Sequence, residues 1–286
     1  MLATPEEHTP LRLSRLPIPA EPIPAPLLVA APVALHERIS DEYWLLRLDA
    51  PEMARRALPG QFAMLTVARQ HEISPVLPRP MALYDWDVAA GTVDFVYKLV
   101  GSGTRQLSTW QSGEPMTVVG PLGRGFTVPD QGGLLLLARG IGICSVTSLG
   151  AAAARAGARV HAVLSARHPA ALVGGDLLRD AGAATVIEVT DTDRSSSPDA
   201  LRPQLEPLFA DGGVSRVAVC GSNRLLRLAT ELSGQTGASV EVSLEAHMAC
   251  GLGYCHGCST GHAGLATESP LVCKDGPVFG WVGTDA

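Results

Sequence analysis

The sequence predicts a β-barrel followed by an α/β domain and a small C-terminal cysteine-rich domain. Three observations predict it. From about residue 29 to 129, short strand-like segments alternate with turn signals, the rhythm of a small antiparallel barrel. From about residue 130, continuous apolar runs alternate with helical stretches, as in a parallel sheet covered on both faces. Near the C-terminus, four cysteines crowd between residues 250 and 273. The expected division is an extended arm over residues 1–28, the barrel over 29–129, the α/β domain over 130–242 and the cysteine domain over 243–286.

In the barrel, the candidate strands are 43–48 (YWLLRL), 61–67 (QFAMLTV), 81–84, 92–99 (TVDFVYKL) and 116–119. Pro51, Pro59-Gly60, Ala90-Gly91, Ser112-Gly113 and Gly120-Pro121 separate them, because these residues favour turns and break ladders. In the α/β domain, 134–138 (LLLLA) is uniformly apolar, which fits a strand buried on both faces. A glycine-opened helix follows over 140–156. Further strands are expected at 159–165, 185–189, 216–220 and 239–244, with helices around 170–181, 199–210 and 222–236. Residues 1–28 are rich in proline and polar groups and read as an extended arm or disordered tail with no assignable chemistry.

Composition excludes several classes of function. The 286 residues suffice for two ordinary domains and an appendage, and 46% apolar residues supply a substantial core. A net charge of −6 without any basic run argues against nucleic acid as a partner, and 5% aromatics offer no stacking platform. The uncharged apolar stretch 140–154 is too short to span a membrane and contains glycines. Glu6, Glu7, Pro26 and Pro32 argue against a secretory signal, so a cytoplasmic protein is expected.

The cysteines carry the most specific chemistry. Cys250, Cys255, Cys258 and Cys273 are spaced C-x4-C-x2-C-x14-C, and the first three have the spacing of a plant-type [2Fe-2S] loop. Such a cluster needs four thiolates around one compact core, and close spacing lets one loop supply three. Gly251, Gly253 and Gly257 lie between the ligands and let the backbone fold back with its N–H groups toward sulfur. A structural zinc site would show two close pairs, whereas only Cys255 and Cys258 form one. A disulfide framework is expected of small secreted domains, which this chain does not resemble. Cys144 and Cys220 sit in or beside apolar runs and read as packing residues, and His256 as a surface residue.

Two barrel segments suit a dinucleotide. Arg79-Pro80-Met81-Ala82 offers a guanidinium fork for a phosphate and a small residue beside which a flat ring can lie. Residues 101–108 (GSGTRQLS) form a glycine-rich turn opening a helix, where N–H groups and the Thr104 hydroxyl can meet a pyrophosphate. The plainer readings are a common Arg-Pro pair and an ordinary N-cap. After the first α/β strand, Gly140 and Gly142 form either a nucleotide-binding turn or simply a tight one. Ser165-Ala166-Arg167, after the next strand, is either a 2′-phosphate site or a surface arginine.

Taken in order, RPMA, VYKLVGSGTRQLS, GPLGRGF, the glycine loop, SLEAHMACGLGYCHGC and VCKDGPVF resemble the electron-transfer subunit of type-B dihydroorotate dehydrogenase. That family lies within the ferredoxin–NADP reductase superfamily, and the likeness covers roughly residues 29–280. The resemblance implies an FAD-binding barrel, a pyridine-nucleotide α/β domain and a [2Fe-2S] domain. It assigns FAD to Arg79, Pro80, Met81, Ala82, Val96, Tyr97, Lys98, Gly103 and Thr104. It assigns the cluster to Cys250, Cys255, Cys258 and Cys273, and Gly140 and Gly142 of the glycine loop remain the candidates for NAD(P)(H). The implied partner is an FMN-containing catalytic subunit of pyrimidine biosynthesis that oxidises dihydroorotate, in a heterotetramer. FAD is the adapter between two-electron hydride exchange and the one-electron cluster; no side-chain nucleophile or acid–base pair is required.

Four positions depart from the family pattern: Arg139 replaces a glycine, Ser145 and Ser222 stand where proline is usual, and His247 stands where arginine is common; residues 190–200 (TDTDRSSSPDA) match the family's acidic segment only loosely. Arg139 either grips a cofactor phosphate or fills space that glycine leaves open. These departures keep two alternatives in view. One is the reductase component of a different two-component oxidoreductase; the other is a cluster-bearing protein with a degenerate nicotinamide site.

Overall fold

A computed structural model describes residues 11–14, 25–261 and 269–284. Most of the expected arm, residues 1–10 and 15–24, lies outside the described residues. The short strand β1 (Leu11–Ser14) is described and joins the sheet farthest from it in sequence.

The barrel is one antiparallel seven-stranded sheet, β5-β4-β8-β2-β3-β7-β6, curled into a half-barrel. Its strands are β2 (Leu27–Arg38), β3 (Tyr43–Asp49), β4 (Phe62–Leu65), β5 (Arg79–Ala82), β6 (Asp85–Asp87), β7 (Thr92–Lys98) and β8 (Pro115–Leu122). Helices α1 (Pro51–Arg56) and α2 (Ser102–Leu107) fill the gaps between strands. Leu46, Leu48, Leu65, Phe95 and Met116 are fully buried inside the curl. The strand β2 is the longest of the elements that sequence patterning missed, because Pro26 and Pro32 read as breaks. Pro32 instead marks a corner. Residues 27–32 pair with β8, and from Val33 onward the ladder passes to β3. A proline, lacking an N–H, is tolerated where a strand changes partners.

The second sheet has the order β1-β14-β13-β12-β9-β10-β11. Its parallel strands are β9 (Gly133–Arg139), β10 (Arg159–Ala166), β11 (Thr185–Thr190), β12 (Arg216–Cys220) and β13 (Ser239–Ser243). The intervening helices are α3 (Ile143–Ala156), α4 (Gly175–Asp180), α5 (Pro198–Leu205) and α6 (Asn223–Thr236). Residues 134–138 of β9 are each 0% exposed, which explains their unbroken apolar character. β14 (Val278–Thr284) returns antiparallel beside β13, and β1 covers its outer edge. The cysteine segment is therefore an excursion between two neighbouring strands. Its Cys258, Leu271 and Cys273 share one buried cluster with Phe62, Met64 and Leu122 of the barrel. The excursion is thus packed onto the barrel, not merely tethered to the α/β sheet. Among the described residues, no helix is long and apolar enough to cross a membrane.

Candidate cofactor cleft and cysteine loop

The carboxyl edge of the parallel sheet faces the open side of the half-barrel across a cleft. A cavity of about 480 Å³ is lined by Glu42, Tyr43, Arg79, Pro80, Met81, Tyr97, Lys98, Thr104, Arg139, Gly140 and Arg167, among others. A second cavity, of about 540 Å³, shares Pro80, Met81, Val100 and Ile141 with the first. It adds Ala82, Val96, Cys144 and residues 243–248, the segment that leads into the cysteines. Of the eleven residues assigned to FAD or the nicotinamide nucleotide, nine (Arg79, Pro80, Met81, Ala82, Val96, Tyr97, Lys98, Thr104 and Gly140) border these two cavities, and Gly103 and Gly142 do not.

Arg79 and Gly103, remote in sequence, meet directly. A Cβ at Gly103 would lie 2.0 Å from Arg79 Nε, so only glycine lets the guanidinium lie on this turn. Arg79 donates to the Leu77 carbonyl and has no carboxylate partner among the described residues. The Thr104 hydroxyl serves the turn itself: it accepts from the Val100 and Gly101 N–H groups (2.9 and 3.1 Å). Tyr97 is buried, and His36 Nε2 lies 2.8 Å from its hydroxyl; burial pushes its phenol pKa upward. Lys98 is ion-paired with Glu42, whose other oxygen lies 2.6 Å from His168 Nε2. The Lys98 hydrogen bond holds the Glu42 carboxyl below its ordinary value, against the opposing effect of burial. Glu42 thereby ties the barrel to the end of β10.

On the α/β side, Gly140 adopts φ 57° and has open space where a Cβ would stand. Gly142 is different. Its Cβ would come within 2.9 Å of the Cys220–Gly221 backbone, so it is required for packing against the next loop. Arg139 neither reaches into the barrel nor closes the cleft. Its guanidinium is held by Asp191 at the end of β11 and by the Ser165 hydroxyl, 2.9 Å away. Cys144 and Cys220 are 1% exposed, and burial pushes the Cys220 thiol up to about 12.

Two cleft residues were not assigned a role from the sequence. Glu42 sits in a turn between β2 and β3 and is recognised only by its partners across the fold. Glu245 projects into the second cavity, where burial raises its carboxyl pKa. Its position just past β13, at the carboxyl edge where ligands bind, was a readable signal.

The cysteine loop is built from turns. Gly251 and Gly253 have φ 68° and 81°, and even His256 is driven to φ 57°. A Cβ at Gly251 would lie 2.6 Å from Met64 Cγ, so glycine also sets the docking distance to the barrel. The sulfurs fall into two pairs. Cys255 lies close enough to act on the Cys250 thiol, and Cys258 on that of Cys273. Backbone N–H groups point at sulfur, from Leu252 to Cys250 and from Cys273 to Cys258, both at 3.4 Å. Burial opposes ionisation of Cys250, yet N–H groups of Leu252, Cys255 and Tyr254 bring its thiol down to about 6. Burial and the neighbouring Cys258 push Cys273 up to about 12. Among the described residues, no three His, Cys, Asp or Glu side chains converge to hold a single metal ion. Two thiol pairs with N–H donors aimed at sulfur suit a two-iron core, in which each iron takes two protein ligands.

Comparison with known proteins agrees with this geometry. A family model described as the iron-sulfur cluster binding domain of dihydroorotate dehydrogenase B matches residues 245–282. The dihydroorotate dehydrogenase B (NAD(+)) electron transfer subunit of Desulforamulus reducens is 30% identical over 246 residues, covering 84% of this chain and 92% of that protein. The corresponding subunit of Geobacillus thermodenitrificans is 31% identical, with 86% and 94% covered. A solved structure of an NADH-dependent reduced ferredoxin-NADP oxidoreductase superposes with a TM-score of 0.73 at 24% identity, covering 90% of each chain, a likeness of fold. Similar to these subunits over nearly their whole length, and carrying their cysteine domain, the chain belongs to the family of dihydroorotate dehydrogenase B electron transfer subunits and is an oxidoreductase component.

Proposed function

We propose that the chain holds FAD in the barrel cleft and a [2Fe-2S] cluster on Cys250, Cys255, Cys258 and Cys273. In this reading it moves electrons between a nicotinamide nucleotide and an FMN-bearing catalytic subunit that oxidises dihydroorotate. The observation that carries it is the second cavity. One wall is Pro80, Met81, Ala82 and Val96 of the barrel; the other is residues 243–248, which run directly into Cys250. A flavin lying on the first wall is thus brought beside the segment that bears the cluster.

When bound, FAD supplies two-electron hydride exchange and the cluster supplies one-electron transfer. The chain's own residues position and insulate. Arg79, uncompensated by any described carboxylate, supplies the positive charge for the pyrophosphate, with the Gly103 turn beneath it. Met81, Ala82 and Val96 give the ring an apolar bed that excludes water. Gly140 leaves open backbone for the nicotinamide nucleotide at the sheet edge. The paired cysteines hold iron, and the N–H groups directed at their sulfurs stabilise the thiolate charge. The reading takes residues 29–129, 130–242 and 243–286 as FAD, nucleotide and cluster units. It also takes two copies of each subunit, working in the cytoplasm in pyrimidine biosynthesis.

Co-expression with the host's FMN-bearing dihydroorotate dehydrogenase tests this. The two chains should elute together, and dihydroorotate-dependent reduction of NAD+ or NADP+ should need both. A catalytic subunit that elutes alone, with turnover indifferent to this chain, points to a different partner.

A further inference from the structure

We propose that Lys274 tunes the reduction potential of the cluster: its side chain is laid across Gly253, between two of the cysteine ligands, and its charge favours the reduced state. The inference rests on the cluster reading above and names a residue that sets the cluster's poise.

Four thiolates leave a bound two-iron cluster with net negative charge, and the electron it accepts adds to that charge. Net charge, hydrogen bonds to sulfur and solvent exposure set the potential of such a centre. N–H groups already point at Cys250 and Cys258. The remaining influence is fixed charge. Among residues 245–286, Lys274 is the one lysine or arginine, set against Glu245, Glu268, Asp275 and Asp285.

Geometry keeps that cation on the cysteine loop. Lys274 directly follows Cys273, and a tight turn fixes its backbone. The Leu271 carbonyl accepts from the Lys274 and Asp275 N–H groups at 3.1 and 2.8 Å. Asp275 is buried and accepts from the Leu271 N–H at 2.8 Å, so its carboxylate serves the turn. Lys274 is exposed, and its stem lies against the loop. A Cβ on Gly253 would stand 3.0 Å from Lys274 Cδ, 3.4 Å from its Cβ and 3.6 Å from its Cγ, so the whole stem crosses this glycine. Gly253 stands between Cys250 and Cys255 in the chain, and its backbone N–H acts on the Cys273 thiol. The stem therefore rests on the stretch that connects the two sulfur pairs. The amino nitrogen is two bonds beyond Cδ and cannot leave the loop. It has no hydrogen bond or ion pair among the described residues. A cation without a counter-ion acts on the charge that lies beside it. Here that charge is the cluster's, and it grows on reduction.

The test uses the full chain with its cofactors, titrated anaerobically with redox mediators while low-temperature electron paramagnetic resonance follows the reduced cluster. Lys274→Met keeps the stem and removes the charge. It should lower the equilibrium constant for reduction about twofold to fivefold, the scale of an exposed charge. At about 59 mV per tenfold for one electron, the midpoint falls by about 20–40 mV. Lys274→Arg should keep the wild-type midpoint, and Lys274→Glu should fall below Lys274→Met. The gap between wild type and Lys274→Met should shrink as salt is added. Integrated signal and iron content should stay constant, which separates tuning from loss of a ligand. Equal midpoints in wild type and Lys274→Met overturn the proposal. So does a midpoint that Lys274→Arg lowers as far as Lys274→Met, because packing and not charge then governs it. If Lys274→Glu loses the cluster, the Met and Arg variants decide alone. The two readings are told apart by the signal itself. A wild type with no cluster signal defeats the cluster assignment and this inference with it; a full signal with equal midpoints defeats the inference alone.

Discussion

Two of the arginines that border the cleft are made opposites by their surroundings. Arg79, on the barrel side, lies on a glycine turn with only a backbone carbonyl to bind. Arg139, on the α/β side, is held by Asp191 and Ser165. Arg79 is left to offer its charge to a ligand, whereas the charge of Arg139 is satisfied within the fold. A cation on a cleft wall counts toward ligand binding only after its counter-ions are counted.

The strongest way to break this comparison is to remove each arginine in turn. Arg79→Ala should weaken FAD retention about tenfold to a hundredfold, the loss of a charge-assisted contact. Arg139→Ala should change it less than about threefold, because Asp191 already neutralises that charge. Equilibrium dialysis followed by flavin fluorescence measures both; equal losses would erase the distinction. The glycines beneath sharpen it. Gly103→Ala places a Cβ against the far end of the flexible Arg79 side chain, so the fold should survive while the guanidinium is displaced. FAD affinity should fall by about fivefold to tenfold, within the range for such a contact. Gly101→Ala meets nothing within 4 Å and should leave affinity unchanged in the same assay.

The smallest effect is a pH dependence. The hydrogen bond from Arg139, then that from Ser196, holds the Asp191 carboxyl well below the usual carboxylate range, with burial opposing. Because the folded pKa is depressed, its stabilisation is complete above the unfolded value of about 4 and is lost as pH falls toward the folded one. The group is 36% exposed, so the stabilisation is under about 1 kcal/mol. Urea unfolding should find Asp191→Asn less stable than wild type at pH 7 and the gap narrowed at pH 3. A gap that widens in acid contradicts the ion pair.

The sequence made some of this legible and hid the rest for identifiable reasons. Residues 134–138 announced a doubly buried strand because every position is apolar. The cysteine spacing named its chemistry because a cluster tolerates few alternatives. β2 was hidden because a proline at a barrel corner looks like a break. The meeting of Arg79 with Gly103 and the bridge from Glu42 to Lys98 and His168 were hidden because they join residues far apart in the chain. Arg139 was visible as a departure, but its consequence depends on Asp191, two strands away across the sheet.

The central claim is that barrel cleft and cysteine loop form one relay, with one flavin and one two-iron cluster per chain. An anaerobic reductive titration of the purified chain, followed by visible absorbance and low-temperature electron paramagnetic resonance, tests it most directly. The account predicts uptake of about three electrons, two by flavin and one by the cluster. It also predicts a cluster signal that disappears in Cys258→Ser while the flavin bands remain. Uptake of only two electrons, with no low-temperature iron signal in the wild type, would contradict it.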